Sequence, residues 1–127
     1  MLKISVTVPT KDTVKEFGTL ISTEGHTPEQ TELFDWYGAV HQEELGPLSF
    51  GYVYSKYNEE FIVTEFEQHK DTPEILIPLE DDIIVLLGKE HAFSKQYLEA
   101  VDFSAFLVRK GEALVIAKGI WHKAPIS

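Results

Sequence analysis

Apolar and polar residues alternate along much of the chain beyond residue 48. In the run 61–69, the odd-numbered positions, which include Glu67 and His69, lie on one face and the even-numbered positions lie on the other. A period of two is typical of β-strands. Runs of the same type cover residues 49–57, 74–79, 82–87, 105–109 and 113–118. The pattern predicts a protein built mainly of short strands.

One short helix is predicted near the amino terminus. Thr13-Val-Lys-Glu16 has the spacing of a capping box and Gly18 follows as a stop signal, so residues 11–17 are expected to be helical. Leu20-Ile21 is expected to begin a first strand, residues 24–32 to form a loop, and residues 33–40 to be strand-like. Residues 93–101 could hold a helical turn.

The fold class follows from these elements. About six to nine short strands with a single helix predict an all-β fold, either an antiparallel sandwich or a barrel. At 127 residues the chain can bury about two thirds of its unfolded surface and is too short for two ordinary domains. The sequence therefore predicts one domain over residues 1–127.

Composition narrows the classes of function. The net charge of −10 argues against a nucleic-acid partner, because phosphate binding needs clustered Lys and Arg. A small molecule or another protein is the expected partner. No membrane association is expected, since the longest apolar run, 83–87, is far below membrane-spanning length, and the amino terminus lacks the apolar core of a signal peptide. A cytoplasmic protein is expected.

Four side chains carry the candidate chemistry: Glu67, His69, Glu74 and His122. They stand at the ends of predicted strands and can converge if those strands are neighbours. Because the chain has no cysteine, a metal site must use imidazole and carboxylate, a set that suits Mn, Fe, Ni or Zn. The same groups could sustain a metal-free acid/base site. They could also do no more than hydrogen-bond one another in a polar interior.

Other polar and aromatic residues have weaker claims. Trp121 is expected in the core or the wall of the pocket, where it could contact a substrate. Lys118 is the cation closest to His122 in the sequence and could anchor a substrate carboxylate, although a surface position also explains it. Tyr52, Tyr54 and Tyr57 are expected to pack in a barrel or an interface, and one phenol could face the cavity.

The spacing of the four candidate residues resembles the two motifs of the cupin superfamily. The first motif reads His-x-His, three or four residues, then Glu, and Glu67 stands here at its first His while His69 and Glu74 match. In the second motif, Gly and His positions match Gly111, Gly119 and His122, with Ala117 for a usual Pro. The resemblance implies a cupin-type antiparallel β-barrel, also called a double-stranded β-helix or jelly roll, with the four residues as possible ligands of a divalent metal.

Within that superfamily, the chain resembles the ureidoglycolate lyase family. The similarity lies in Phe-Gly-x-Leu-Ile at 17–21, in Glu67-x-His69 followed by Ile-Pro-Leu at 77–79, and in Gly119-Ile-Trp121-His122. It implies an enzyme that releases urea and glyoxylate from ureidoglycolate in purine nitrogen catabolism. Such a lyase needs a base, an acid and a cation. Glu74 or Glu67 could be the base, His69 or His122 the acid, and a metal or Lys118 the cation.

Two other functions stay open. Gln68 stands where that family usually has Arg, and Glu74 stands where it usually has an amide. These two differences would suit a cupin that binds a small molecule without turnover. Another metal-dependent cupin enzyme, such as a sugar isomerase or a dioxygenase, has compatible ligand spacing. A homodimer is also expected, because residues 2–8 are apolar at alternate positions and suited to pairing with a neighbouring subunit.

Overall fold

Short strands grouped into sheets form most of the regular structure. The computed structural model of the protein describes residues 1–56 and 61–127. One α-helix, α1 (Lys11–Val14), and one 3-10 turn (Ala100–Asp102) accompany the strands. The strands in these residues are β1 (Val6–Thr7), β2 (Gly18–Ile21), β3 (Glu29–Gln30), β4 (Asp35–Trp36), β5 (Glu67–Gln68), β6 (Glu74–Leu76), β7 (Ile83–Gly88), β8 (Phe103–Val108), β9 (Ala113–Ile116) and β10 (Trp121–His122).

Two sheets carry the domain. The first sheet has the strand order β1-β8-β7-β10-β5, and the second has the order β2-β9-β6. All their pairings are antiparallel except β1 with β8, which is parallel. Within the described residues, strands β3 and β4 pair only with each other. No helix in the described part of the chain is long and apolar enough to cross a membrane.

The hydrophobic core lies between the two sheets. Val85, Leu87 and Phe106 project into it from the first sheet, and Leu114 and Ile116 from the second. Alternation along each strand places these side chains on one face, because successive residues of a strand point to opposite sides. Phe17, directly before β2, belongs to the core and contacts the ring of Phe106 edge-on. Burial of these side chains is the main stabilising term of the fold.

The prediction of an all-β fold is confirmed, but the described residues, which form two main sheets and the separate β3–β4 pair, do not show a closed barrel. The longer predicted strands are also wrong in extent. Residues 49–56 contain no strand, Tyr57 lies outside the described residues, and in the run 61–69 only Glu67–Gln68 is a strand. The run 33–40 likewise reduces to Asp35–Trp36. A strand needs a hydrogen-bonded neighbour as well as a suitable composition, and among residues 1–56 and 61–127 these segments have none along most of their length.

The predicted helix begins where expected but is shorter and has a different cap. Thr10, and not Thr13, is the N-cap: its hydroxyl accepts from the Thr13 backbone N–H, and the Thr13 hydroxyl accepts from the Thr10 N–H. The reciprocal pair satisfies two of the donors that a helix start leaves free. Threonine thus replaces the Glu of the usual motif, and the box lies one turn earlier than the prediction placed it.

The amino-terminal segment pairs within its own chain. Val6 and Thr7 of β1 pair in parallel with Ala105 and Phe106 of β8. One edge of β1, the strand predicted to pair with a second subunit, is therefore hydrogen-bonded to β8 of the same chain. Strand β1 ends the sheet, and its outer edge has no neighbour among the described residues. The homodimer stays a prediction.

A buried carboxylate holds the connection between β7 and β8. Asp102 is almost fully buried, and its two oxygens lie 3.1 Å from His91 Nε2 and 2.6 Å from Lys95 Nζ. The Lys89 backbone N–H donates to the Asp102 carbonyl and closes the base of the loop. The Lys95 ammonium holds the pKa of the Asp102 carboxyl below its usual value, and His91 acts in the same direction. Burial alone would raise this pKa, but its effect is smaller than that of Lys95.

Truncation of a core side chain should destabilise the domain strongly. Leu114 is fully buried between Leu20 and Leu76, its neighbours in the second sheet. Leu114→Ala should lower the free energy of unfolding by about 2–5 kcal/mol because it removes apolar contacts and leaves a cavity. Urea unfolding followed by circular dichroism measures this. Leu79→Ala, at an exposed leucine, is the control and should change it by about 0.5 kcal/mol or less; equal losses would contradict the assignment of the core.

The Asp102 carboxylate should make the fold sensitive to acid. Because the pKa of this group is lowered by folding, its stabilising effect is present above its usual pKa and is lost as the pH falls through the lowered value. The free energy of unfolding of the wild type should therefore fall from pH 5 towards pH 2. Asp102→Asn should be less stable at pH 7 and should lose less on acidification. Parallel acid-dependence in both proteins would contradict a role for this carboxylate.

Candidate metal centre

His122 faces the core from β10, the strand next to the edge of the first sheet. Strand β10 lies between β5 and β7, so His122 stands directly opposite Glu67 on one side and Leu87 on the other. Side chains at directly opposed positions lie on the same face of a sheet. Since Leu87 belongs to the core, the imidazole also projects inwards, and only 2% of His122 is exposed.

Glu74 approaches the same point from the second sheet. It begins β6 and is the register partner of Ile116, a core residue of β9, so the carboxylate faces the space between the sheets. Its Oε2 lies 2.9 Å from His122 Nε2. The two side chains therefore meet across the gap between the sheets, at one end of the core.

His69 is the third member of the group and lies in the connection between β5 and β6. Its Nδ1 is 3.5 Å from Glu74 Oε2, and its ring centroid is 5.0 Å from that of His122. The Gly119 N–H donates to the His69 carbonyl, which ties this connection to the turn before β10. Gly119 has a φ of +83°, and a Cβ there would lie 3.0 Å from the Glu90 carboxyl carbon, so this turn requires glycine.

The hydrogen bond between His122 Nδ1 and the Ile120 carbonyl determines that Nε2 is the nitrogen without a proton in the neutral ring. Nδ1 lies 3.0 Å from the Ile120 carbonyl oxygen, which can only accept, so Nδ1 carries a proton and donates it. In the neutral ring, Nε2 then directs a lone pair at Glu74 Oε2. Neither atom makes a hydrogen bond of acceptable geometry within the described residues, although both are buried. Two facing lone pairs at this distance repel unless a proton or a cation lies between them.

The charges of the site shift the pKa values of both His122 and Glu74. Burial by itself lowers the pKa of His122, but the Glu74 carboxylate, the Ile120 carbonyl and Glu67 together outweigh it, and the pKa lies above its usual value. The His122 imidazole is the main cause that holds the pKa of Glu74 below its usual value, against burial and with help from His69. Both shifts favour the ion pair between a protonated His122 and an ionised Glu74.

The same atoms suit a divalent metal ion. His69, Glu74 and His122 each offer one ligand atom, and these atoms all lie within 4.8 Å of one another. Two ligands bound to one ion at about 2.1 Å and at a right angle are about 3.0 Å apart, close to the 2.9 Å between Nε2 and Oε2. Imidazole nitrogens with carboxylate oxygen suit Zn, Mn, Fe or Ni. The His/Glu group that the sequence predicted can thus hold a metal ion.

Glu67, the fourth predicted ligand, lies beside this group. Its Oε1 is 3.7 Å from His122 Nε2, and 58% of its side chain is exposed, compared with 46% for His69. The structure therefore brings all four predicted side chains to one place, but only three of them share a common ligand position. Glu67 forms the solvent side of the site.

Trp121 and Lys118, the two residues predicted to bind a substrate, are not members of the group of three candidate ligands. Trp121 pairs with Gln68 and projects from the face opposite His122, where its ring packs on Phe93 and its Nε1–H donates to the Glu90 carbonyl. Lys118 is exposed in the turn before β10, without an ion pair to another described residue. Trp121 lies on the opposite face of β10 from His122 because adjacent residues of a strand face opposite sides, and its contact with a substrate stays a prediction.

An aromatic cluster supports the site from behind and was not predicted. Phe66, Phe93, Phe103 and Trp121 pack with ring centroids 4.9 to 5.7 Å apart on the outer face of the first sheet. Gln68, on the same face, donates its amide to the Gly119 carbonyl. These contacts fix β5 and β10 against each other and so hold Glu67 and His122 in register. The sequence signal for this cluster was the alternation of faces along each strand, which places the neighbours of Glu67 and His122 on the outer face.

Comparison with known proteins adds no identification. No family model matches the chain, and no curated protein matches it significantly.

Loss of one ligand should abolish tight metal binding. Calorimetric titration of the wild type with Mn²⁺ or Zn²⁺ should show one ion per chain, and Glu74→Gln and His122→Gln should each weaken binding by at least about 100-fold. Glu65→Gln is the matched control, since Glu65 is exposed and pairs with Lys123 at 3.6 Å. An unchanged affinity in Glu74→Gln, with the fold intact by circular dichroism, would rule out the site.

Proposed function

We propose that the protein is a cupin-type enzyme that binds a divalent metal ion through His69, Glu74 and His122 and acts on a small hydroxy acid. One observation supports this most strongly: His122 Nε2 and Glu74 Oε2, contributed by different sheets, face each other at 2.9 Å without a hydrogen bond. With a neutral imidazole such a pair is costly, because two acceptor atoms without water face each other and need a proton or a cation between them. Perturbed ionisable groups at one end of a core are a common feature of active sites.

The charge balance of the site favours an anionic substrate only when an ion is bound. Glu67 and Glu74 contribute two negative charges within 3.7 Å of His122 Nε2. A bound divalent ion would supply positive charge at their centre and act as a Lewis acid towards a substrate oxygen. Without a bound ion, the Glu67 and Glu74 carboxylates would repel a substrate carboxylate. Activity should therefore require the ion.

The proposed substrate is ureidoglycolate, which the sequence resemblance suggests. Its cleavage removes the hydroxyl proton, breaks the bond between carbon and nitrogen, and passes the electron pair to the urea nitrogen, which takes up a proton. A carbonyl forms on the carbon, and no oxidant is needed. One carboxylate can take the hydroxyl proton and return it to the leaving nitrogen.

Glu67 is the residue proposed to move that proton. It lies outside the group of three ligand atoms, it is directly opposite His122 in the sheet, and it is more exposed than either Glu74 or His122. His69, His122 and Glu74 would be occupied as ligands and would orient the substrate. The Leu87 and Ile116 side chains next to His122 and Glu74 form an apolar base that limits access of water from the core side.

Incubation with ureidoglycolate tests the proposal. With Mn²⁺, Ni²⁺ or Zn²⁺ the protein should release urea and glyoxylate in equal amounts, faster than the spontaneous reaction, and a chelator should stop it. Glu67→Gln should lower kcat by about 10²–10⁴-fold because the proton carrier is lost, whereas Glu65→Gln should leave it unchanged. Release at the spontaneous rate with every ion would refute the assignment.

A second candidate is a cupin that binds its small molecule without turnover. Gln68, which replaces the Arg usual in the resembled family, directs its amide to the Gly119 carbonyl and adds no charge to the site. Lys123 is paired with Glu65, so it is not a free anchor for a substrate carboxylate. Bound metal at one ion per chain, with no product from ureidoglycolate, would favour this candidate or another metal-dependent cupin enzyme.

A further inference from the structure

The turn before β10 carries the carbonyl that orients His122. In this turn, residues 117–120, the Ile120 N–H donates to the Ala117 carbonyl at 3.3 Å, and the third residue, Gly119, has a φ of +83°. A positive φ at this position is typical of a type II turn and favours glycine. The Ile120 carbonyl accepts from His122 Nδ1 at 3.0 Å. The turn therefore determines which ring nitrogen of this candidate ligand is free to bind an ion.

Residues 68 and 69 hold both backbone polar groups of Gly119. The His69 carbonyl accepts from the Gly119 N–H at 2.8 Å, and the Gln68 side-chain amide donates to the Gly119 carbonyl, also at 2.8 Å. Only the NH₂ end of an amide side chain can donate, so this contact determines the orientation of the Gln68 amide. The two peptide groups of Gly119 are thus held by the end of β5 and by the residue that follows it.

The peptide group between Gly119 and Ile120 depends strongly on the Gln68 amide. Its other hydrogen bond to a described residue, from the Ile120 N–H to Ala117, is 3.3 Å long, compared with about 2.7–3.2 Å for most N–H···O bonds. Glycine also allows more backbone rotation than any other residue. Loss of the Gln68 amide would therefore free this peptide group to rotate. Such a rotation moves the Ile120 backbone, and with it the carbonyl that accepts from His122.

We propose that Gln68 is a positioning residue that, through the turn at Gly119, holds His122 with Nε2 towards the candidate metal site. Metal-binding histidines commonly donate their second ring nitrogen to a backbone carbonyl, and loss of such supporting contacts typically weakens metal binding by about 10–100-fold. The effect on metal binding rests on the proposed function. The link from Gln68 to His122 is made of contacts that exist without a bound ion.

Gln68 acts on the site without facing it. It stands directly opposite Trp121, and both lie on the outer face of the sheet, whereas His122 lies on the inner face. The Gln68 side chain is uncharged and is not one of the candidate ligands. A substitution there removes no ligand and changes no charge of the site, so its effect on metal binding must pass through the turn.

The same contacts join the two imidazole ligands to each other. Gly119 is hydrogen-bonded to the His69 backbone and is separated from His122 by only two residues of the chain. Glu74 is positioned independently, because β6 pairs with β9 in the second sheet. Disturbing the turn should therefore displace His69 and His122 relative to Glu74 and leave the carboxylate where it is.

Hydrogen exchange of the His122 Nδ1–H, followed by NMR in the metal-free protein, tests the link directly. This proton is present in both the neutral and the protonated ring, so its exchange with water reports the contact with Ile120 in either state. Gln68→Met, which keeps the size of the side chain but has no donor, should speed the exchange at least about 10-fold. Gln68→Glu, with an oxygen in place of the amide nitrogen, should do the same. Loss of the resonance in His122→Gln assigns it.

Val108→Ala is the matched control for overall stability. Val108 is fully buried and stands opposite Ile83, at the other end of β7 from the residues that pair with β10. This variant should destabilise the domain but leave exchange of the His122 proton within about 3-fold of the wild type, because opening of the turn is a local event. Equal acceleration in Val108→Ala, or wild-type exchange in both Gln68 variants, would overturn the inference.

Calorimetric titration with Zn²⁺ separates this inference from the proposed function. Gln68→Met should weaken Zn²⁺ binding by about 10–100-fold, and Gln96→Met, at an exposed glutamine between β7 and β8, should leave the affinity unchanged. Wild-type affinity in Gln68→Met would overturn the inference. A wild type that binds no ion would refute the proposed function, and the exchange rates of the His122 proton would then decide the role of Gln68.

Discussion

The contact between His122 and Glu74 is the constraint on which the rest of the site depends. His122 Nδ1–H donates to the Ile120 carbonyl, so the opposite nitrogen, Nε2, faces the Glu74 carboxylate. Water cannot relieve the pair, because His122 is buried and both facing atoms have lost solvent. A positive charge between the two atoms, either a proton or a metal ion, makes the arrangement favourable. The pKa shifts of both groups have the direction that this attraction requires.

The fold creates this contact by packing two sheets over one core. His122 is positioned by pairing with β5 and β7, and Glu74 by pairing with β9. Leu87 and Ile116 stand next to them on the same inner faces, so the packing that stabilises the domain also sets the separation of the ligands. A functional group supported on paired strands is held more precisely than one on a free loop. His69, in a connection, is the ligand with more freedom, and its backbone is held by Gly119.

Much of the site could be predicted from the sequence, because it depends on spacing and alternation. The convergence of His69, Glu74 and His122 followed from candidate ligands at the ends of predicted strands. The position of Trp121 could also have been predicted, since a residue adjacent to an inward-facing His122 must face outwards. The role of the Ile120 carbonyl could not, because every residue carries the same backbone acceptor and only the folded turn shows which one is near.

The extent of the strands was harder to predict for a physical reason. Residues 49–56 have aromatic and β-branched residues in alternation, yet whether they form a strand depends on a partner edge elsewhere in the chain. Thr10 was missed as the N-cap because the motif considered required Glu, whereas the Thr13 hydroxyl does the same work here. Local composition thus identified which segments can be strands and where the helix begins, but not which segments find neighbours.

Anomalous diffraction from crystals grown with Mn²⁺ would test the central claim most directly. The account predicts one anomalous peak between His122 Nε2 and Glu74 Oε2, about 2.1–2.2 Å from each and within reach of His69. His122 Nδ1 should still donate to the Ile120 carbonyl. A map with no peak at this position, with the two side chains still facing each other at hydrogen-bonding distance, would show that a proton alone holds the pair and would contradict the metal centre.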